Sequence, residues 1–530
     1  MESKDVLKFC MEQGLLVDEE VLSILSEVND IESTKTIIEN IKEQTRKKVI
    51  TKEIFLDREK APKFFSDVPK ESWEKIERLK IKLGLKIEIS KEISSEKLIK
   101  NPQKNNLGVK VLSKVVGGGK KYVVSDFVQH FRNRYITLKK ILQERAELKN
   151  LVSINKIASR GYGASIIGII SDRSVTKNKN LIFEVEDLTG KIKVLVNKNK
   201  EAVYNLAKDL PLDGVVGFVG SGNSEIFFVN DIIIPDAKIP ERKRSPVEEY
   251  ALFISDIQVG SKIFLEENFK KFINYLNGGV PNTPEVAKIK YLFIVGDVVE
   301  GVGVFPKQEN ELIITDLEDQ FSKLAGWLSK IRKDITIIIS PGNHDGVRLM
   351  EPQPVFDEKF AWPLFNLNNV VLTGNPALVN IGEKKGFEGF NVLLYHGFSY
   401  PYYANTIPSL IEEGNALNTP EKIMTYLLQH RHLAPTHEST QSVPTEEDGM
   451  LIETIPDIFV SGHTHKMAVN YYNNILIISA GTWEAQNKFQ ERMGNKPDFC
   501  KVPLLNLGTG KIKILDFYDQ KEINEQEKLE

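Results

Sequence analysis

Five apolar runs in the second half of this chain each end on a polar group for which a buried strand has no structural use. LFIS leads into Asp256, YLFIVG into Asp297, ITIIISPG into Asn343, His344 and Asp345, NVLLY into His396, and DIFVSG into His463 and His465. Short runs rich in Ile, Val, Leu and Phe, closed by glycine or a turn residue, read as strands buried on both faces. The carboxyl ends of strands in an open α/β sheet share one edge, so these runs deliver their last residues to one wall. Four of the chain's eight histidines stand there. Asn, His and Asp in a row after a buried strand leave three polar groups stranded unless something binds them. GHTH sets two imidazoles on the same side of an extended segment, as a metal pincer requires. A lone Gly-Asp is a turn and a lone histidine is hydrogen-bonded structure. The ordered set is more than that. Carboxylate, amide and imidazole together suit Mn²⁺, Fe²⁺ or Zn²⁺, with no cysteine in the set to draw a softer metal.

Residues 248–530 alternate apolar strands with helical stretches, the pattern of an α/β domain. The preceding segment, 150–240, has a different grain. ASIIGIIS, LIFEVED and KIKVLVN read as strands, EAVYNLAKDL as a helix, and GVVGFVG and EIFFVNDIII as two more strands, with LTG and GSGN as turns. Three strands, a helix and two strands follow the order of an OB-fold β-barrel, which binds nucleic-acid strands or serves as a docking surface. Residues 1–80 carry apolar positions at helical spacing, as in VLKFCMEQGLLVDEEVLSILSEV, and predict a small helical docking domain. Residues 81–121 are polar and glycine-rich and read as a flexible linker; residues 122–149 read as a helical connector that opens on a Ser/Asp cap. The fold class expected is thus multidomain α+β.

With 530 residues, a prior of roughly 150 per domain gives three or four domains. The net charge of −3 does not mark a nucleic-acid binder, but residues 91–149 hold 14 Lys/Arg against 5 Asp/Glu, a candidate phosphate-tracking segment. Two cysteines, Cys10 and Cys500, exclude a disulfide framework and a cysteine zinc site. The opening MESKDVLKFC lacks a signal-peptide core and no run reaches transmembrane length, so a soluble cytoplasmic protein with no membrane partner is expected.

The motif order DIQ, GD, GNHD, HG, GHTH resembles the calcineurin-like metallophosphoesterase superfamily, whose pattern is DxH, GD, GNHD, a lone H and GHxH. The resemblance covers roughly residues 250–500. It implies a four-layer α/β sandwich with a two-metal centre in the loops between facing sheets. By position, Asp297 bridges the metals; Asp256 and His465 hold the first; Asn343, His396 and His463 hold the second; His344 matches the catalytic histidine. Two divalent ions roughly 4 Å apart activate an attacking water and clamp phosphate oxygens. The flanks SDIQVGSKIF, PGNHDGVRLMEPQP, DGMLIETIPDIFVSGHTH and AGTWEAQNKFQERMGNKPDFCKVPLLNLGTG are similar to the small-subunit family of archaeal family D DNA polymerases. That family implies a 3′→5′ exonuclease acting on single-stranded or mismatched DNA ends, activated by Mn²⁺ with Mg²⁺, Fe²⁺ or Zn²⁺ as alternatives. It also implies association with a large catalytic subunit and, through the complex, with the sliding clamp.

Gln258 departs from the pattern. It stands where the superfamily has a histidine ligand of the first metal, and its amide oxygen is a weaker candidate ligand. A decayed site would have lost more than one ligand; a single exchange to a polar side chain of similar reach reads as re-tuning. The rival reading is a metal-free scaffold subunit, and a protein phosphatase or cyclic-nucleotide esterase is disfavoured by the strand-rich domain. Arg348, just past GNHDG, is a candidate phosphate contact. His430, His432 and His437 in QHRHLAPTHEST, with a proline and no clear periodicity, read as a surface loop.

Overall fold

The computed structural model describes residues 3–18, 21, 22, 25, 31–45, 48–51, 54, 64, 108–113, 121–159, 163–412, 414–492 and 494–518. The chain divides into two units, Met1–Lys100 and Asn101–Glu530. The first contains helices Ser3–Glu12 and Ile31–Gln44 and a minimal parallel pair, β1 (Leu16–Val17) with β2 (Val49–Ile50). Val6 and Cys10, one helical turn apart, meet Ile37, Ile38 and Ile41 from the second helix, with Leu15 and Phe64, in one apolar cluster.

The second unit opens with an element the linker reading missed. Within the 81–121 segment, Val109–Val111 forms β3 and pairs antiparallel with β13 (Ala377–Ile381). Three residues are too few for a period to register, and the partner lies far along the chain. The helix Val124–Gln143 follows. Ser125 and Asp126 do not precede it as a cap; Asp126 sits in its first turn and accepts from the Val123 N–H at 2.9 Å.

Next comes a closed five-stranded barrel. β4 (Ala164–Val175), β5 (Leu181–Asp187), β6 (Gly190–Val196), the helix Glu201–Lys208, β7 (Val215–Gly222) and β8 (Ile226–Ile233) follow the expected order and close as β4-β5-β6-β8-β7. Tyr135, Leu138 and Leu142 of the long helix bury against Ile167, Val215 and Ile233 on the barrel's outside.

Two six-stranded sheets make up the rest. One has the order β12-β11-β10-β9-β18-β19 and the other β16-β17-β15-β14-β13-β3. The first is built from β9 (Tyr250–Ile254), β10 (Ile289–Val295), β11 (Thr336–Ser340), β12 (Val370–Leu372), β18 (Lys501–Asn506) and β19 (Ile512–Asp516). The second adds β14 (Phe390–Leu394), β15 (Ile458–Ser461), β16 (Ala468–Tyr472) and β17 (Ile475–Ser479) to β3 and β13. The period of two sorts each strand. Ala251 and Phe253 of β9 turn inward with Phe293 and Val295 to meet Val379, Val392, Val460 and Ile478 of the other sheet. Leu252 and Ile254 turn outward, under Phe269, Phe272, Leu324 and Leu328 of helices Glu266–Leu276 and Leu317–Leu328. Leu393, Phe459, Ile475 and Ile477 cover the opposite outer face beneath Tyr400, Tyr403, Met424 and Leu427 of helices Tyr400–Thr406 and Pro420–His430. The layers run helix, sheet, sheet, helix, and β9–β12 and β14-β15-β17 are parallel within their sheets.

The stretch around His430 is not a surface loop. His430 ends a helix and is 5% exposed, and His432 is 1% exposed. His432 Nε2 lies 2.9 Å from Asp448 Oδ2, which also accepts from Arg134 Nε at 2.6 Å; Arg134 Nη1 donates to Pro435 O at 2.7 Å. The pair that His432 joins reaches an arginine about three hundred residues earlier, which no local pattern could signal. Among the described residues no helix is long and apolar enough to cross a membrane.

Candidate metal centre

The strand-end residues converge at the joint between the two sheets. Asp256 and Gln258 follow β9, Asp297 follows β10, and Asn343 and His344 follow β11, all on the first sheet; His396 follows β14, and His463 and His465 follow β15, on the second. Asp256 Oδ2 accepts from the His463 N–H at 2.9 Å, and the His396 ring reaches back to Val295 O, so each sheet orients the other's residues. Asp256, Gln258, Asp297, His463 and His465 all hold positive φ, between +48° and +68°. Side chains other than glycine and asparagine adopt that region at a cost of order 1–3 kcal/mol, and such strain collects at functional sites. Gly342 is needed for a different reason: a Cβ there would fall on Asp297 Oδ1.

Asp297, His396 and His463 offer ligand atoms that all lie within 4.8 Å of one another. His396 Nδ1 is 2.9 Å from the Val295 carbonyl, which can only accept, so Nδ1 carries the proton and Nε2 faces the cluster. That Nε2 lies 3.1 Å from Asp297 Oδ2 without hydrogen-bond alignment. Burial disfavours a charged His396, but Asp297 beside it outweighs burial and holds its pKa up at about 10. Burial, with His396 next to it, pushes His463 down to about 3. At Asp297 burial is outweighed in turn, and the His396 and His344 imidazoles hold the carboxyl well below its usual range. Asn343 Oδ1 is buried without a partner.

The other half of the cluster surrounds Asp256. Its Oδ1 is buried and unpartnered, with His465 Nε2 3.4 Å away, and the Gln490 amide engages the far side of that ring at 2.9 Å from Nδ1. Gln258, buried at 3% exposure, lies between His465 and Glu484. Against an ionised Glu484, one amide orientation satisfies it. Its nitrogen donates to the Glu484 carboxylate, and the end facing His465 Nε2, 3.4 Å away, is then its oxygen.

His344 is partly buried beside Asp297. Its N–H donates to Asp297 Oδ1 at 2.8 Å, and its Nδ1 is 2.8 Å from Glu300 O, which leaves Nε2 4.0 Å from Asp297 Oδ2. Burial lowers the His344 pKa, but Asp297 and Glu300 outweigh it and raise it overall. Asp345 has a backbone role: it accepts from Gly342 N at 2.7 Å and Val299 N at 3.1 Å, shaping the turn that presents Asn343. Arg348 donates to Pro352 O at 2.9 Å and not to an acid.

Three polar residues at this joint escaped the motif reading. Glu300, Glu484 and Gln490 are all buried, and Glu300 Oε2 has no partner. Each is a single residue outside any repeated pattern; their only sequence signal is polarity beside a motif. Burial, then the like charge of Glu300, pushes the Glu484 carboxyl up to about 8. Buried polar atoms almost always find partners, so orphans require an explanation. Asp256 Oδ1, Asn343 Oδ1 and His396 Nε2 are orphans together, and all are donors a divalent cation accepts. The residues fit a metal centre.

The family model for the B-subunit of DNA polymerases alpha and epsilon matches residues 251–469. The DNA polymerase II small subunit of Pyrococcus furiosus is 39% identical over 413 residues, covering 76% of this chain. The chain spans 65% of that relative's length. A solved structure described as a novel archaeal phosphodiesterase aligns with 50% of this chain and 98% of that one at 14% identity, but at a TM-score of 0.25. That likeness is too weak to carry weight. The DNA polymerase II small subunit of Methanothermobacter thermautotrophicus is 34% identical over 398 residues, covering 74% of this chain and 80% of that one. Identity at that level over most of both chains is decisive, and the chain belongs to the family of archaeal DNA polymerase II small subunits.

Proposed function

We propose that this chain is a two-metal 3′→5′ exodeoxyribonuclease that proofreads within a DNA polymerase, acting on single-stranded or mismatched 3′ ends. The observation that carries the reading is the clustering of Asp297, His396 and His463 from both sheets, with Asp256 Oδ1, Asn343 Oδ1 and His396 Nε2 buried without hydrogen-bond partners. Asp256, Asp297, His465 and the Gln258 oxygen would hold one cation, and Asp297, Asn343, His396 and His463 the other. When bound, two divalent cations, Mn²⁺ first among the candidates, supply Lewis-acid activation of water and neutralise phosphate charge. The protein's own part centres on His344. Its Nδ1–H is spent on the Glu300 carbonyl, which fixes the ring, and its raised pKa keeps a proton available at Nε2. As water adds to phosphorus and the P–O3′ bond breaks, that proton goes to the leaving 3′ oxygen. Arg348 is the candidate contact for a flanking phosphate.

The five-stranded barrel, read as an OB-fold, and the helical N-terminal region suit DNA and a large catalytic polymerase subunit as partners, with the sliding clamp reached through that complex. A metal-free scaffold is the second reading, and Gln258 in place of a histidine is what favours it. Purified full-length chain with Mn²⁺ and a 5′-labelled single-stranded oligonucleotide separates the two. Exonuclease action gives a ladder shortened from the 3′ end, and His344→Ala slows it about 100-fold or more while metal binding stays intact. No digestion with any divalent metal would leave the scaffold reading. Full activity in His344→Ala would remove that residue from the chemistry.

A further inference from the structure

The exchange at position 258 has a neighbour suited to compensate for it. Glu484 follows β17 in a strap held on both sides. Trp483 N donates to Asp256 O at 3.0 Å, Leu265 N donates to Trp483 O at 2.8 Å, and Ala485 N donates to Ile263 O at 2.9 Å. The Trp483 ring is buried against Phe269 and Phe272, at 5.0 Å and 5.2 Å between centroids. Ser261 Oγ donates to Glu484 Oε1. The carboxylate therefore has little freedom, and it faces the Gln258 amide. Had the amide turned the other way, its oxygen would have met the ionised carboxylate, two acceptors in contact.

We propose that Glu484 is a positioning residue that replaces the absent histidine's contribution: it holds the Gln258 amide with its oxygen toward the first metal position, making that position an oxygen-donor site selective for Mn²⁺ or Mg²⁺ over Zn²⁺. The inference rests on the two-metal reading above. Independent support comes from two buried carboxylate oxygens of the cluster that have no hydrogen-bond partner, Asp256 Oδ1 and Glu300 Oε2. Asp256 Oδ1 and the Gln258 amide each lie 3.4 Å from His465 Nε2, so with Asp297 the first position combines three oxygen-bearing groups with one imidazole. Hard cations that take oxygen ligands suit such a set better than Zn²⁺, which favours nitrogen and sulfur. An unoriented primary amide presents nitrogen as readily as oxygen, and nitrogen of an amide is no ligand.

Calorimetric titration of the full chain with Mn²⁺ alone and with Zn²⁺ alone tests it without reference to DNA. The unaltered chain should bind two Mn²⁺. Glu484→Met, which keeps the volume and removes the acceptor, should weaken one of them by about tenfold or more and leave the other unchanged, as loss of an outer partner does. The same variant should narrow the preference for Mn²⁺ over Zn²⁺. The exchange of the pair, Gln258→Glu with Glu484→Gln, restores an oriented oxygen at 258 and should retain both Mn²⁺. Unchanged Mn²⁺ binding in Glu484→Met overturns the proposal. Should that variant fail to fold, the exchanged pair decides, and loss of one Mn²⁺ from it overturns the proposal. Two Mn²⁺ bound in this pattern by a chain that leaves DNA intact would sink the exonuclease reading and leave this one standing. Digestion of DNA with indifferent Glu484 variants would do the reverse.

Discussion

Gly462 leaves no room for a methyl group, because a Cβ there would fall on Ser255 Oγ and press on Asp256 Oδ2. That oxygen accepts from the His463 N–H at 2.9 Å, so one absent side chain lets a carboxylate from the first sheet lie against the backbone of the second. The glycine that begins GHTH is thus a contact requirement of the site. Gly462→Ala should displace the Asp256 carboxylate, and a misplacement on the ångström scale can cost about 100-fold in rate. Digestion and Mn²⁺ binding measured together check it: both should fall, and a variant with both intact would show that the loop yields without cost. The candidate ligands were legible residue by residue, because each follows an apolar run. Glu484 and Glu300 were not, because a single buried acid carries no periodicity and acquires meaning only from what surrounds it.

At the scale of elements, the helix Val124–Gln143 is fastened to the segment after His430 by one buried charge pair. Arg134 and Asp448 are both about 2% exposed and joined at 2.6 Å. Removing one partner of a buried pair leaves the other charged and unsatisfied, at a cost of about 3–5 kcal/mol. Arg134→Leu should therefore lower stability to denaturant by that order, and Asp448→Leu added to it should recover much of the loss. If the double variant is no more stable than the single, the arginine matters through packing alone. The same network makes stability depend on pH. Burial, then the Arg134 charge, lowers His432 from 6.5 to about 4. Between those values the unfolded chain binds a proton that the folded chain refuses, so stability rises with pH across that window and is complete above it. Acidification from pH 6.5 to 4 should remove on the order of 3 kcal/mol through this residue. Asp448 is held well below its usual range, with Arg134 outweighing burial, so its own loss falls below this window. Melting curves of the chain and of His432→Asn across that range decide it; the variant's slope should be shallower, and equal slopes would assign the effect elsewhere.

The whole molecule divides near residue 100, and the metal-centre residues all lie in Asn101–Glu530. A chain beginning at residue 101 should bind Mn²⁺ and digest DNA as the full chain does. One beginning at residue 122 also loses β3, the edge strand paired with β13, and should melt at a lower temperature. Equal melting of the two truncations would show that the edge strand is dispensable. A collapse of activity in the first would tie the helical unit to the reaction.

Sequence alone determined the five strands of the barrel and, in the two sheets, β9, β10, β11, β14 and β15, and it determined which polar residues stand at the ends of those five. Both depend on the two-residue period and on short-range turn chemistry, which neighbouring residues carry between them. It did not decide which sheet each motif joins, since apolar runs destined for either sheet look alike. Nor did it decide that Val109–Val111 would pair, that His432 would be buried beside the Arg134–Asp448 pair, or that Glu484 would face the Gln258 amide. Those outcomes depend on partners tens to hundreds of residues away, and such contacts exist only once two sheets have closed face to face.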